Sequence, residues 1–263
     1  MEGWKGRKGR VRCTHHASRI TFHVSRFTFY VSRFTFYVYT LLFVISLMAG
    51  RVNAEEISII AVGDITIGSG LTPTIEKYGV DALFAGTKEI LQSADIATAT
   101  LNTNISDRGE PRYGVEHPFR AAPGVARGIA NAGFKVVSIA TPHVMDFGAE
   151  ALEDTITSLG WYQVKTVGAG LTPEAASEPA WVDVKTAKVA FLAYAHGDAF
   201  ARDSAGVISR AVYSEMIEAV KRVAQGADLI VVSIYLGKAR KTEAVSERHR
   251  FFAHAAIDAG ADV

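Results

Sequence analysis

The sequence predicts an α/β fold with a largely parallel sheet, and three observations carry that expectation. From Ile57 onward, short apolar runs alternate with segments of helical periodicity. The apolar runs are β-branched or Ala-rich along their length, the composition of strands buried on both faces. Polar clusters follow the first three runs directly, at the strand ends where an open α/β sheet binds its ligand. With 263 residues, 49% of them hydrophobic, the chain can bury one large core or two small ones. Its 28 Lys and Arg against 27 Asp and Glu leave a net charge of +1, so no overall field draws it to nucleic acid or to an anionic surface. A ligand has to be recognised locally.

The organisation divides at residue 54, with a repeat-containing extension and signal peptide over 1–54 and a single domain over 55–263. The units Ser18-Arg-Ile-Thr-Phe-His-Val24, Ser25-Arg-Phe-Thr-Phe-Tyr-Val31 and Ser32-Arg-Phe-Thr-Phe-Tyr-Val38 repeat every seven residues. Their apolar residues fall at every second position, which is strand-like alternation and not an a/d seam. The 16 residues 34–49 carry no charge, and Val52 and Ala54 have the spacing that a signal peptidase reads, with Glu55-Glu56 opening the mature chain. Cleavage after Ala54 is expected. The alternative is an uncleaved membrane anchor, and that segment is the only route to a membrane. Cys13, the one cysteine, lies upstream of the cleavage point, which excludes disulfides, Cys-zinc sites and a cysteine nucleophile from the mature domain.

In the domain, strands are expected at 57–62, 95–100, 135–140, 188–194 and 228–234. Helices are expected at 75–93, 124–132, 149–159, 213–225 and 246–259. Met216, Ile217, Val220 and Val223 form one apolar stripe at helical spacing in the fourth helix. Gly226 is placed to end that helix in the C′ role. Residues 106–123, with Pro111, Pro118 and Pro123, read as a long loop over the sheet ends.

The polar clusters are Gly63-Asp64 after the first strand, Asn102-Thr103-Asn104 after the second, and Thr141-Pro142-His143 after the third, with Asp146 just beyond. One carboxylate, one or two amide oxygens and one imidazole make a partial shell for a divalent metal, or a cradle for phosphate. Each also has a structural explanation: turn chemistry for Asp64, Asn102 and Asn104, and a hydrogen-bonded loop histidine for His143. His196-Gly197-Asp198, after the fourth strand, is a reserve site that a polar turn explains equally well.

The same residues carry a family resemblance. Ala61-Val-Gly-Asp64 resembles the opening Gly-Asp motif of the capsule-synthesis CapA family. Asp95 to Asn104 is similar to its "aDl…NlE" segment, and FRAAPGVARGIANAGFKVVSIATPHVMDFG, from Phe119 to Gly148, to its "aGfdvvsLANNHalDyG" signature. Gly168-Ala-Gly170 resembles "GaG", Ala227 to Gly237 resembles "aDlvivs.HWG", and Ser246 to Val263 resembles the approach to a histidine-rich motif. The resemblance implies a metallophosphatase-like (calcineurin-like) layered sandwich, two mixed sheets flanked by helices, apparently incomplete at the C-terminus here. It implies a link to making or exporting capsular poly-γ-glutamate. It also implies that Asp64 is the first metal carboxylate, beside the metal-candidate amides of Asn102 and Asn104 read from the strand end, and catalytic positions for His143, beside a transferred group, and for Asp146, which orients it or its loop.

Departures from the family pattern set the functional expectation. Thr141-Pro142 replaces an asparagine pair, Asn104 replaces an acid, and Tyr235-Leu236 replaces His-Trp. A dinuclear hydrolytic centre has to hold two cations ~3.5–4 Å apart. The residues here offer too little charge for that, so a divalent metal (Mn, Zn or Fe) is expected to bind weakly or not at all. The expectation is therefore an exported protein of the periplasm, cell wall or exterior that handles an anionic surface polymer or meets the envelope export machinery, without robust catalysis. The alternatives are a metal-dependent phosphoesterase or polymer hydrolase, and a non-functional fragment of such a protein.

Overall fold

A computed structural model describes residues 33–41, 55–196, 208–237 and 245–263. The chain divides into Met1–Ala54 and Glu55–Val263. In the first part, residues 33–41 form a helix, α1, where the alternation of the repeat predicts strand. Phe34, Tyr37 and Leu41 also satisfy a helical stripe, so period two is not the only pattern in this stretch. The rest of the repeat and the cleavage point lie outside the described residues. Among the described residues, no helix is long and apolar enough to cross a membrane.

The second part opens with β1 (Ile59–Ile65), a short 3-10 turn, α2 (Thr72–Tyr78), a second 3-10 turn at Val80–Phe84, and α3 (Lys88–Ser93). There follow β2 (Ile96–Leu101), β3 (Asn104–Ile105), β4 (Arg120–Ala121), α4 (Val125–Ala132), β5 (Phe134–Ser138), a 3-10 turn at Pro142–Met145 and α5 (Gly148–Trp161). Then come β6 (Lys165–Val167), α6 (Pro173–Ser177), β7 (Ala180–Val184), β8 (Ala187–Ala195), α7 (Tyr213–Val223), β9 (Leu229–Tyr235) and α8 (Glu247–Ala259).

Two main sheets result. The first has the order β1-β2-β5-β6 and is parallel throughout. The second, β7-β8-β9, is mixed, with an antiparallel β7/β8 hairpin and a parallel β8/β9 pair. The expectation of two mixed sheets therefore holds only for the second. Alternation along β8 explains how they stack. Val189, Phe191, Ala193 and Ala195 join the core that contains Ile96, Leu101, Val136 and Val137 of the first sheet. Ala190, Leu192 and Tyr194 face the other way, onto Met216 and Val220 of α7 and Phe252 and Ala255 of α8. The outer side of the first sheet is covered by α4 and α5, which bury Val125, Ile129, Leu152 and Leu159. The architecture is helices, sheet, sheet, helices, and each large aliphatic residue buried in it contributes ~1.5–3 kcal/mol.

The helix expected over 75–93 is broken into α2, a 3-10 turn and α3, because Gly79 takes φ 82°. Strand β1 is not buried on both faces: it is the sheet edge, and residues 61–64 are exposed. Gly226 does not adopt the left-handed C′ conformation; the amides of Gly226 and Ala227 bond back to Val223 O in a right-handed ending. The left-handed endings are at Gly133 (φ 110°) after α4 and Gly260 (φ 117°) after α8.

The two sheets come into close contact at Gly168, just after β6. A Cβ there would lie 2.6 Å from Ala140 Cβ and 2.8 Å from Ala193 Cβ, and φ is 92°. Gly168 O also accepts from Ser209 N at 2.9 Å, fastening the segment that follows β8. Gly168→Ala is expected to lower stability by about 1–3 kcal/mol from overpacking, with ~1–2 kcal/mol more from the left-handed backbone. Urea melts measure this as a lower midpoint at constant m-value, and an unshifted midpoint would show that the sheets are not in contact there.

Candidate functional site

The strand ends are brought together by backbone hydrogen bonds. Asn102 N donates to Ile65 O at 2.9 Å, which sets the end of β2 beside the end of β1. Thr103 Oγ1 donates to Ile67 O at 2.7 Å, and Thr141 Oγ1 reaches Leu101 O at 3.4 Å, linking β5 to β2. In β1 the register slips: Ala61 pairs with Thr98 but Asp64 with Thr100, so Val62 and Gly63 both face Ala99. Such a bulge bends an edge strand and re-aims the side chain that follows it, here Asp64.

His143 stands on the 3-10 turn that Pro142 opens. Its Nδ1 lies 2.7 Å from Asp146 Oδ2. A carboxylate only accepts, so Nδ1 carries the hydrogen, and Nε2 is the ring nitrogen left for another partner. The same Asp146 oxygen accepts from Phe119 N at 2.9 Å, and the Phe119 ring meets His143 edge-on with centroids 4.6 Å apart. Asp146 O also accepts from Arg112 N at 2.8 Å. A carboxylate that is only 3% exposed thus ties the long loop to the histidine turn.

Asn104 supports the turn from within. It is fully buried and its Nδ2 donates to Val144 O at 2.7 Å. An ionised acid at this position could not donate and would repel that carbonyl, which is a physical reason for an amide here. Asn102 Oδ1 and Asn104 Oδ1 are buried without a hydrogen-bond partner among the described residues.

Asp64 lies within electrostatic reach of His143 and of Tyr235. Crowding by the protein pushes the Asp64 carboxyl above 3.8, and the nearby His143 partly opposes this. Burial raises the Tyr235 phenol, and the Asp64 charge raises it further. His196 is tied to Tyr235 through its backbone, its N donating to Tyr235 O at 2.7 Å, while its ring lies against Phe252 at 5.1 Å. Gly197 and Asp198 are outside the described residues. His249 is a helix cap, pairing with Ser246 at the start of α8, and His117 is exposed. Sequence reasoning missed Phe119, whose one signal is an aromatic residue at the end of the Pro-containing loop.

The candidate donors at these strand ends are the Asp64 carboxylate, His143 Nε2 and the amide oxygens of Asn102 and Asn104. Among the described residues no group of three or more His, Cys, Asp and Glu is gathered. One carboxylate with buried, unpartnered amide oxygens suits a single hard or borderline divalent ion; it does not supply the charge for two.

The family model for the bacterial capsule synthesis protein PGA_cap matches residues 58–263. The capsule biosynthesis protein CapA of Bacillus anthracis is 26% identical over 80% of this chain and 53% of its own length. The PGA biosynthesis protein CapA of Bacillus subtilis (strain 168) is 24% identical over 77% of this chain and 54% of its own. The chain therefore spans about half the length of these curated relatives. A hypothetical protein from Thermus thermophilus has a crystal structure similar at a TM-score of 0.43 and 14% identity, over 76% of this chain and 63% of that one.

A carboxyl whose native pKa lies above its unfolded value destabilises the fold when ionised. For Asp64 this cost is fully present at neutral pH and disappears as pH falls below 3.8. Asp64→Asn is therefore expected to raise the melting temperature at pH 7 and to leave it unchanged near pH 3. A gain of equal size at both pH values would place its cause elsewhere.

Proposed function

As the chain belongs to the bacterial capsule synthesis family PGA_cap, we propose that it is exported and acts at the cell envelope in the synthesis or export of a capsular anionic polymer of the poly-γ-glutamate kind, without robust catalysis. The match over residues 58–263 supports the capsule role. The donor set supports the non-catalytic part. His143, with Nδ1 committed to Asp146, offers Nε2 to a polymer group. Tyr235, whose phenol is pushed up by burial and by Asp64, adds no charge beside that carboxylate at neutral pH.

A metal-dependent phosphoesterase or polymer hydrolase is the second reading, favoured by the unpartnered amide oxygens. In it, Asp64, Asn102, Asn104 and His143 would hold one Mn, Zn or Fe ion, and the ion would supply Lewis-acid polarisation. The remaining roles belong to the chain: Asp146 fixes the imidazole, and Phe119 shields its edge.

Two measurements in one design separate the readings. Deleting the gene is expected to lower surface anionic polymer, with the wild-type gene restoring it. The purified chain is expected to release neither phosphate from p-nitrophenyl phosphate nor glutamate from a γ-glutamyl polymer in the presence of Mn. Unchanged polymer in the deletion strain would remove the capsule role. Turnover that His143→Gln abolishes would establish the hydrolase in its place.

A further inference from the structure

The loop between β3 and β4 is closed by Arg120. Its Nη1 donates to Arg108 O at 3.1 Å and to Gly109 O at 3.0 Å, and its guanidinium carbon lies 4.0 Å from the centroid of the Phe147 ring. The acceptors are as firmly placed as the donor. Gly109 has φ 80°, and a Cβ on it would lie 2.0 Å from Phe147 O, so the loop is pressed against the start of α5.

Both Nη1 hydrogens are thereby used. Nε–H and Nη2–H remain, the parallel side-on edge of the guanidinium that matches the two oxygens of a carboxylate or phosphate. Arg108 shows this edge occupied: its Nε lies 3.1 and 3.0 Å from the two carboxylate oxygens of Asp154, and its Nη2 lies 2.5 Å from Oδ1. Arg120 forms no ion pair among the described residues. It borders a cavity of about 370 Å³ whose wall also includes Ser69, Thr72, Ser106 and Asp107. Ser106 Oγ is committed to Asp154 at 2.5 Å, so the hydroxyls of Ser69 and Thr72 are the neutral donors of this wall.

We propose that this cavity is a binding site for a small oxyanion, a carboxylate or phosphate group received by the Nε–H and Nη2–H edge of Arg120. Asp107 on the same wall disfavours a multiply charged ligand and favours one that carries a hydroxyl or ammonium beside its oxyanion. The site rests on the geometry around Arg120 alone, and it stands or falls independently of the capsule reading.

The test uses the full chain labelled with ¹⁵N, following the arginine Nε–H signals while sodium phosphate and sodium acetate are added in separate arms at constant ionic strength. Arg120→Lys identifies the Arg120 signal by its loss. A saturable shift of that signal is expected in at least one arm, with a Kd on the order of 1 mM. The responding arm then tells phosphate from carboxylate. Arg120→Lys keeps the charge but lacks the fork, and calorimetry is expected to show binding weakened roughly tenfold. No saturation in either arm, or undiminished binding in a folded Arg120→Lys chain, would overturn the proposal. If the lysine variant does not fold, Arg120→Gln identifies the signal and the wild-type titration decides alone.

Discussion

Everything around the candidate site depends on one buried carboxylate, Asp146. Its Oδ2 receives the Phe119 amide and faces His143 Nδ1, and its backbone carbonyl receives the Arg112 amide. A carboxylate removed from water costs several kcal/mol unless its oxygens are satisfied, so the protein has to bring donors to it. Those donors come from the long loop and from the histidine turn. Satisfying Asp146 thus fixes the imidazole tautomer, presents Nε2 outward and fastens the loop that carries Arg120. The oxyanion cavity and the strand-end cluster share this anchor although their ligating groups differ.

Asn104 is the second constraint. The resemblance puts an acid at this position, yet here the amide donates to the carbonyl of Val144, inside the histidine turn. Gaining that donor means losing a negative charge from the cluster. A different change stands at Tyr235, where a phenol, a poorer ligand that alters no negative charge, occupies the place at which the resemblance puts a histidine. Against the pattern that the resemblance implies, Asp64 is the one carboxylate left among the candidate donors, and its pKa is raised by its surroundings.

Much of the architecture was legible in the sequence because the central strands are continuous apolar runs. All five expected strands form, and their polar ends converge as parallel connections require. What was not legible is local. Strand β6 is short and begins with Lys165, and β7 carries Asp183, so neither reads as an apolar run. The helix over 75–93 has the right periodicity, but Gly79 adopts a conformation that periodicity does not report. In the site, the Gly63-Asp64, Asn102-Asn104 and His143-Asp146 clusters were legible as strand-end motifs. The bulge that re-aims Asp64 and the Phe119 contact to His143 depend on register and on a long-range loop closure, which spacing along the chain does not reveal.

We propose that the strand-end cluster holds metal too weakly for hydrolytic chemistry. It is tested most directly by the Mn, Zn and Fe content of the full chain after purification without chelator, measured by mass spectrometry against protein concentration. The account predicts a total well below one metal per chain. A value near or above one would contradict it, and would return Asp64, Asn102, Asn104 and His143 to the role of ligands in a working metal centre.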